Sequence, residues 1–139
     1  MPKMLLPIDG SENSSRVVRY ALGVADTLKE PLETHLLNVQ HPFPGTIKGV
    51  ADQARQFHQE QGEIALAGAR KLLDDAKVKY TSHISVGDAA QEVARMTKEL
   101  NCDQVVMGTR GMSSIGNMVL GSVATKVLHL VQVPVTLVK

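Results

Sequence analysis

The chain has 139 residues, of which 43% are hydrophobic and 21% are charged, and its formal net charge is +1. That balance is typical of one globular domain that is large enough to bury a real core. The near-neutral charge, and an aromatic content of 3% without Trp, argue against nucleic acid as a partner, because they provide neither a polyanion-binding surface nor stacking platforms for single strands.

The cellular compartment is suggested by the one cysteine, Cys102, and by the hydropathy of the chain. A single cysteine excludes an internal disulfide and favours a reducing compartment. No apolar stretch approaches the roughly 20 residues of a membrane span, and the apolar start MPKMLLPIDG is too short for a signal peptide. We therefore expect a cytoplasmic protein that does not use the membrane as a partner.

The first predicted elements are a buried strand and an amphipathic helix. The apolar run MLLPI (4–8) lacks polar alternation, as expected of a strand covered on both faces. The turn- and cap-forming residues DGSENS follow, and Ser11 or Asn13 is expected to cap a helix whose apolar residues recur at helical spacing. Pro31 lies beyond the expected end of that helix.

The middle of the chain continues the alternation of strands and helices. A second strand is predicted over THLLNVQ (34–40), and HPFPGTIKG then argues against regular structure with its prolines and glycines. A long helix is predicted from about residue 51 to 76, with a polar first half that we expect to be exposed or mobile. YTSHISVG (80–87) alternates as a strand near a sheet edge does.

The last part of the chain completes a β-α-β-α-β-α-β-α-β order. A third helix with an apolar face from Ala89 to Leu100 precedes the strand QVVMG (104–108), and a helix from Gly121 to Val131 precedes the strand PVTLV (134–138). This order predicts one α/β domain over residues 1–139, with a parallel sheet and helices on both faces. In such sheets, ligands bind outside the carboxyl ends of the strands, where the strand order reverses.

Glycines surround the end of the fourth strand and the start of the fourth helix. Glycine lets backbone N–H groups approach a ligand, and a helix N-terminus adds free N–H groups and partial positive charge. If the nine residues between Gly111 and Gly121 fold over, both ends can face one anion, for which polyphosphate is the obvious candidate. The same glycines could simply end a strand and cap a helix, and spacing alone leaves both interpretations open.

Other chemical motifs are missing from the sequence. It contains no Gly-x4-Gly-Lys-Ser/Thr loop and no Gly-x-Ser-x-Gly nucleophile elbow. No two histidines are four residues apart and no His-Cys cluster suggests zinc, so the histidines are expected to be structural or exposed. Cys102 has no base near it in the sequence, and an inert thiol is therefore preferred to a nucleophile.

The spacing Gly-x2-Gly-x9-Gly-Ser, formed by Gly108, Gly111, Gly121 and Ser122, resembles the nucleotide-binding signature of the universal stress protein family. PIDGSENS resembles the family's Pro-x-Asp-x-Ser region, LLNVQ its second strand and PVTLVK its last strand. The resemblance covers essentially the whole chain. It implies an open five-stranded parallel sheet of order 3-2-1-4-5, of the adenine nucleotide alpha hydrolase-like type, in which Asp9 and the glycine segment face one crevice.

The resemblance also implies a site for ATP with Mg²⁺. Asp9 would approach the ribose or a phosphate-bound metal, and the backbone of Val39 would meet the adenine edge. No Lys or Arg occurs in MSSIGNMVL (112–120), where family members often carry one, so backbone dipoles would neutralise most of the phosphate charge, helped by Mg²⁺, Arg110 and Lys126. The base would be walled by Pro7, Ile8 and Met107, and the phosphates by Gly108, Gly111, Gly121, Ser122 and Val123.

Each of these roles has a plainer alternative. Asp9 could simply be the cap of a strand-to-helix turn. Arg110 could extend into solvent, and Ser122 could be an ordinary N-cap. The sequence shows no committed general base, so slow ATP hydrolysis or autophosphorylation is left open. An adenylate-transferring enzyme is disfavoured, because neither a His-x-Gly-His nor a Ser-Gly-Gly-x-Asp-Ser signature occurs.

The expected function is a nucleotide-dependent module of stress response or signalling with an unidentified protein partner at the surface around HPFPGTIKG and the long helix. The resemblance implies a homodimer through residues 133–139, which would cover an apolar strand at the sheet edge. A monomer whose edge is shielded by Lys139 is the alternative. A further alternative for the function is a dimeric scaffold of the same family that does not bind nucleotide.

Overall fold

Strands and helices alternate along the chain in the computed structural model, which describes residues 2–43, 51–109 and 120–139. The elements are β1 (Lys3–Pro7), α1 (Glu12–Thr27), β2 (Glu33–Gln40), α2 (Ala51–Asp75), β3 (Tyr80–Val86), α3 (Ala89–Glu99), β4 (Gln104–Gly108), α4 (Ser122–Leu130) and β5 (Val135–Val138).

The strands form one parallel sheet in the order β3-β2-β1-β4-β5, which confirms the predicted fold class. The chain winds outward from β1 to β2 and β3, and then from β4 to β5 on the other side of β1. The strand order therefore reverses between β1 and β4. The bounds of most elements lie within a residue of the prediction, and α4 is shorter at both ends because Gly121 and Val131 are its caps.

Two apolar layers cover the sheet, as the uninterrupted apolar runs predicted. Met4 and Leu6 of β1 pack with α1 and α2 on one face, whereas Leu5 packs with α3 and α4 on the other. All three side chains are 0% exposed. Burial of each side chain of this size contributes about 1.5–3 kcal/mol, so the central strands anchor the loops that follow them.

The surface of the molecule departs from expectation at one residue of α2. The first half of α2 is polar and mostly exposed, as predicted, but His58 is 7% exposed. Its ring lies 4.8 Å from that of Phe43 and 5.9 Å from that of Phe57, measured between centroids.

The helices in the described part of the chain differ from membrane-spanning helices. None of them combines the length and the apolar character that a membrane span requires.

Candidate functional site

A solvent-open cavity lies at the carboxyl ends of β1 and β4, where the strand order reverses. This is the position at which open parallel sheets bind ligands. Arg110 and Gly111, which were also predicted for the site, lie outside the described residues. The predicted residues that line the cavity are Pro7, Ile8, Asp9, Val39, Met107, Gly108, Gly121, Ser122 and Val123.

The floor of the cavity is apolar. Ile8, Val39 and Met107 come from the ends of the central strands, and each is at most 9% exposed. Ala89 and Val93, one turn apart on α3, extend this surface from the side. Aliphatic side chains and a polarisable thioether form a surface that can pack against a flat aromatic ring.

Val39 adds backbone polar groups to this apolar floor. The Ile8 N–H donates to the Leu37 carbonyl at 2.8 Å, and beyond it the described residues show no backbone hydrogen bond from the first strand to β2. Alternate residues of a strand direct their N–H and C=O groups to the same side, so those of Val39 point like those of Leu37. They point past the end of β1, on the side where the cavity lies.

Asp9 holds the turn that leads from β1 into α1. Its Oδ1 accepts hydrogen bonds from the Ser11 N–H at 2.9 Å and from the Ser14 hydroxyl at 2.7 Å. Gly10 has a φ of +85°, and a Cβ there would lie 3.1 Å from Ala65 Cα. Asp9 therefore caps the turn with one oxygen, and its second oxygen, Oδ2, has no hydrogen-bond partner among the described residues.

The N-terminus of α4 opens on the cavity without a side-chain cap. Gly121 is the N-cap, with φ −70° and ψ 161°, so the alternative that Ser122 is the N-cap is wrong. The Gly121 N–H donates to the Thr109 carbonyl at 2.7 Å, which leaves that amide unavailable to a ligand. Among the described residues, no acceptor meets the amides of Ser122, Val123 and Ala124. By contrast, Ser11 and Asp88 cap α1 and α3.

The charges around the cavity are few. Asp9 is the one charged side chain among the described residues of the lining, which include no Lys or Arg. Lys126 is outside the lining, with its Nζ 3.9 Å from Asp88 Oδ1. An anion in this cavity would be met mainly by amides and by the positive end of the α4 dipole.

Part of the lining was not predicted from the sequence. Ser11, Asn13 and Ser14 were seen only as turn and cap residues of the DGSENS segment, although their place after the first strand was the available signal. Ala89 and Val93 were assigned to a helix face, but the sequence does not say which strand ends that helix covers. The remaining lining residues missed are Leu37 and Ala124.

A second polar cluster lies away from the cavity on β2 and β3. His35 Nδ1 is 3.0 Å from His83 Nε2, and His35 Nε2 is 3.1 Å from Glu33 Oε2. Burial lowers the pKa of His83, and the neighbouring His35 lowers it further. The hydrogen bond with His35 holds the pKa of Glu33 below its usual value. No group of three potential metal ligands occurs in the part of the chain that the structure describes.

Cys102 has the properties of an inert thiol. It is 5% exposed between α3 and β4, and burial raises its pKa to about 11. The thiol is therefore protonated near neutral pH. A nucleophilic cysteine would instead need a lowered pKa, so that the thiolate is present.

Comparison with known proteins agrees with this architecture. The model of the "Universal stress protein family" matches residues 1–139. Universal stress protein MJ0531 of Methanocaldococcus jannaschii is 29% identical over 139 residues, with 99% of this chain and 81% of the relative covered. The solved structure of MJ0577 from the same organism is 25% identical, with a TM-score of 0.82 and coverage of 99% and 95%.

A third comparison is with a family protein of Arabidopsis thaliana that was solved with AMP bound. It is 19% identical, with a TM-score of 0.72 and coverage of 100% of this chain and 92% of the other. The fold and the cavity at its switch point thus define an open α/β protein with five parallel strands. The chain belongs to the universal stress protein family.

Proposed function

We propose that the cavity between β1 and β4 binds an adenine nucleotide, ATP with Mg²⁺, and that the protein acts as a nucleotide-dependent module of the stress response in the cytoplasm. The observation that carries the proposal is that an apolar floor and an uncapped helix N-terminus line one cavity. The first surface suits a base and the second suits phosphate. The Arabidopsis protein with bound AMP supports it, because that protein shares the fold.

In the proposed complex the base packs on the apolar floor, against Pro7, Ile8 and Met107. The Val39 N–H and C=O supply one donor and one acceptor, which complement the ring nitrogen and amino group of adenine. Asp9 Oδ2 is the group available to a ribose hydroxyl or to Mg²⁺, which binds proteins through few carboxylates and keeps phosphate and water as its other ligands.

The phosphates in this complex lie against Gly108 and the first turn of α4. The amides of Ser122 and Val123 and the Ser122 hydroxyl donate to phosphate oxygens, while Arg110 and Gly111 are proposed to approach from the segment before α4. The described lining holds no histidine and no carboxylate beyond Asp9, so the proposal is one of binding rather than of hydrolysis.

Substitution of Ser122 tests the amide cradle directly. Proline is favourable at the first position of a helix, and the φ and ψ of Gly121, −70° and 161°, are those that a residue before proline adopts. Ser122→Pro therefore removes an amide donor while the helix is preserved. Ser122→Ala removes the hydroxyl alone and is the matched control. We expect Ser122→Pro to bind ATP and AMP about tenfold more weakly than Ser122→Ala, the value of one hydrogen bond to a charged group.

The measurement is isothermal titration calorimetry with each nucleotide, with and without Mg²⁺, on protein whose circular dichroism matches the wild type. Equal affinities of the two variants would contradict the amide cradle. A wild-type protein that binds neither nucleotide, and that releases none on acid denaturation, would favour the alternative of a scaffold without nucleotide binding.

We also propose that the protein forms a homodimer through residues 133–139. β5 is an edge strand whose residues are all half-buried. Hydrogen bonds to β4 use the carbonyls of Pro134 and Val138, so the backbone groups of Val135 and Leu137 point to the open edge. A second copy of the strand would pair these groups.

A protein partner is proposed to bind the surface formed by residues 41–60, of which 44–50 lie outside the described residues. Phe43 and Phe57, which are 49% and 45% exposed, are the large apolar side chains on the described part. Replacement of residues 41–60 should abolish capture of the partner, and unchanged capture would reject this location.

A further inference from the structure

We propose that Lys126 makes the site prefer nucleoside triphosphates to monophosphates, and that Asp88 competes with the nucleotide for it. This inference rests on the proposed function, because it assigns a role at the rim of the same cavity. Lys126 would be a specificity-determining residue, and Asp88 would set how strongly it acts.

Lys126 lies on the same face of α4 as a residue that lines the cavity. Residues four apart lie on the same face of a helix, and side chains tilt toward the helix N-terminus. Lys126 is four residues after Ser122, which lines the cavity. Its side chain thus runs back toward the turn whose amides are open. The ammonium group is 3.9 Å from Asp88 Oδ1, and Asp88 directly precedes Ala89 of the lining.

The ion pair therefore joins α4 to the N-cap of α3, and both helices contribute residues to the lining of the cavity. The two partners of the pair are held differently. Asp88 Oδ2 accepts from the Gln91 N–H at 3.0 Å, which fixes the carboxylate as the N-cap of α3. The Lys126 side chain is 64% exposed and has a flexible four-carbon stem. Lys126 can move while Asp88 stays in place.

The charge of the ligand decides when that movement is favourable. The free amides of α4 can satisfy one phosphate group, such as that of AMP. A triphosphate brings further negative charge to a lining that contains a carboxylate and, among its described residues, no cation. An exposed pair as long as Lys126–Asp88 is weak, so the outer phosphates can replace Asp88 at little cost.

The experiment measures ATP, AMP and adenosine affinities by calorimetry in the full chain. Lys126→Gln keeps a long polar side chain and removes the charge. We expect it to weaken ATP binding about fivefold, the value of a partly exposed charge pair, and to leave AMP and adenosine within about twofold. Lys98→Gln removes the same charge from the exposed last turn of α3 and should change none of the three affinities.

Asp88→Asn should change the affinity for ATP in the opposite direction to Lys126→Gln. Asparagine caps a helix as well as aspartate does, so α3 is retained while Lys126 loses its competitor. We expect ATP to bind about two- to fivefold more tightly to Asp88→Asn, with AMP unchanged. In the Lys126→Gln/Asp88→Asn double variant this gain should disappear, because both substitutions act through the same ammonium group.

The outcomes separate the two proposals. If the wild type binds AMP and ATP but Lys126→Gln weakens both equally or neither, the pair only ties α3 to α4 and the assignment of Lys126 is overturned. A gain in Asp88→Asn that persists in the double variant would also overturn it. If the wild type binds none of the three ligands, the proposed function fails, and the role of Lys126 fails with it.

Discussion

At the scale of single residues, the histidine pair on β2 and β3 has a consequence for stability. The two ring nitrogens are 3.0 Å apart, so one of them must be an acceptor, and protons on both would oppose each other. Glu33 Oε2 faces the other nitrogen of His35, and Lys3 Nζ lies 3.6 Å from the same oxygen. Burial and the proximity of His35 both disfavour the charged form of His83 and lower its pKa.

We predict that His83 makes the protein less stable in mild acid. Its folded-state pKa is below the ordinary value of 6.5, so below about pH 6.5 the unfolded chain binds more protons at this residue. Stability is therefore present above that pH and falls as the pH drops toward the folded-state pKa. Urea unfolding at pH 7.5 and pH 5 should show a smaller loss of stability in His83→Asn than in the wild type.

The matched control for this prediction is His41→Asn, because His41 is exposed. It should lose as much stability as the wild type between the two pH values. A pH dependence that is the same in all three proteins would contradict the role of His83. The pair itself could not be predicted from the sequence, since it depends on the register that sets His35 beside Thr81 and Leu37 beside His83.

At the scale of elements, the packing of α2 on β3 depends on one glycine. A Cβ at Gly62 would lie 2.6 Å from Ile84 Cδ1 and 2.8 Å from its Cγ1 and Cγ2. Gly68 is on the same helix and is exposed, and a Cβ there would meet nothing within 4 Å. Both glycines have helical backbone, but only Gly68 has room for a Cβ.

We predict opposite effects of alanine at these positions. Gly68→Ala should stabilise the protein by about 0.5–1 kcal/mol, because alanine favours a helix interior over glycine. Gly62→Ala gains the same term but forces Ile84 to move, and overpacking of this kind costs about 1–3 kcal/mol, so a net loss is expected. Chemical denaturation measures both. A Gly62→Ala protein as stable as Gly68→Ala would mean that Ile84 repacks freely.

The elements themselves were largely predictable, for a physical reason. Strands buried on both faces appear as short uninterrupted apolar runs, and β4 was predicted over the residues that it occupies. Strand ends fix the site, so Asp9 and Gly108 could be placed at one crevice once the strand order was known. The contributions of α3 could not be placed in the same way, because the sequence gives its apolar face but not the strand ends that this face covers.

At the scale of the whole molecule, the two sheet edges are formed by β3 and β5. Leu137 of β5 pairs with Met107 and packs against the core on the α3–α4 face. Its N–H points away from β4, because the neighbouring Val138 carbonyl accepts from the Thr109 N–H. The side chain and the backbone of one residue would thus serve different purposes in the proposed dimer. The side chain stabilises the fold, and the backbone N–H would pair with a second copy.

Substitution of Leu137 separates these two purposes. Leu137→Ala removes packing but keeps the edge donor, so we expect a dimer that is less stable by about 1–3 kcal/mol. Leu137→Pro loses the same packing and also the N–H on the open edge, where proline is tolerated within a subunit. It should therefore be folded and monomeric. Light scattering after size-exclusion chromatography distinguishes the two states. A dimeric Leu137→Pro protein would place the contact elsewhere, and a monomeric wild type would mean that the edge needs no partner.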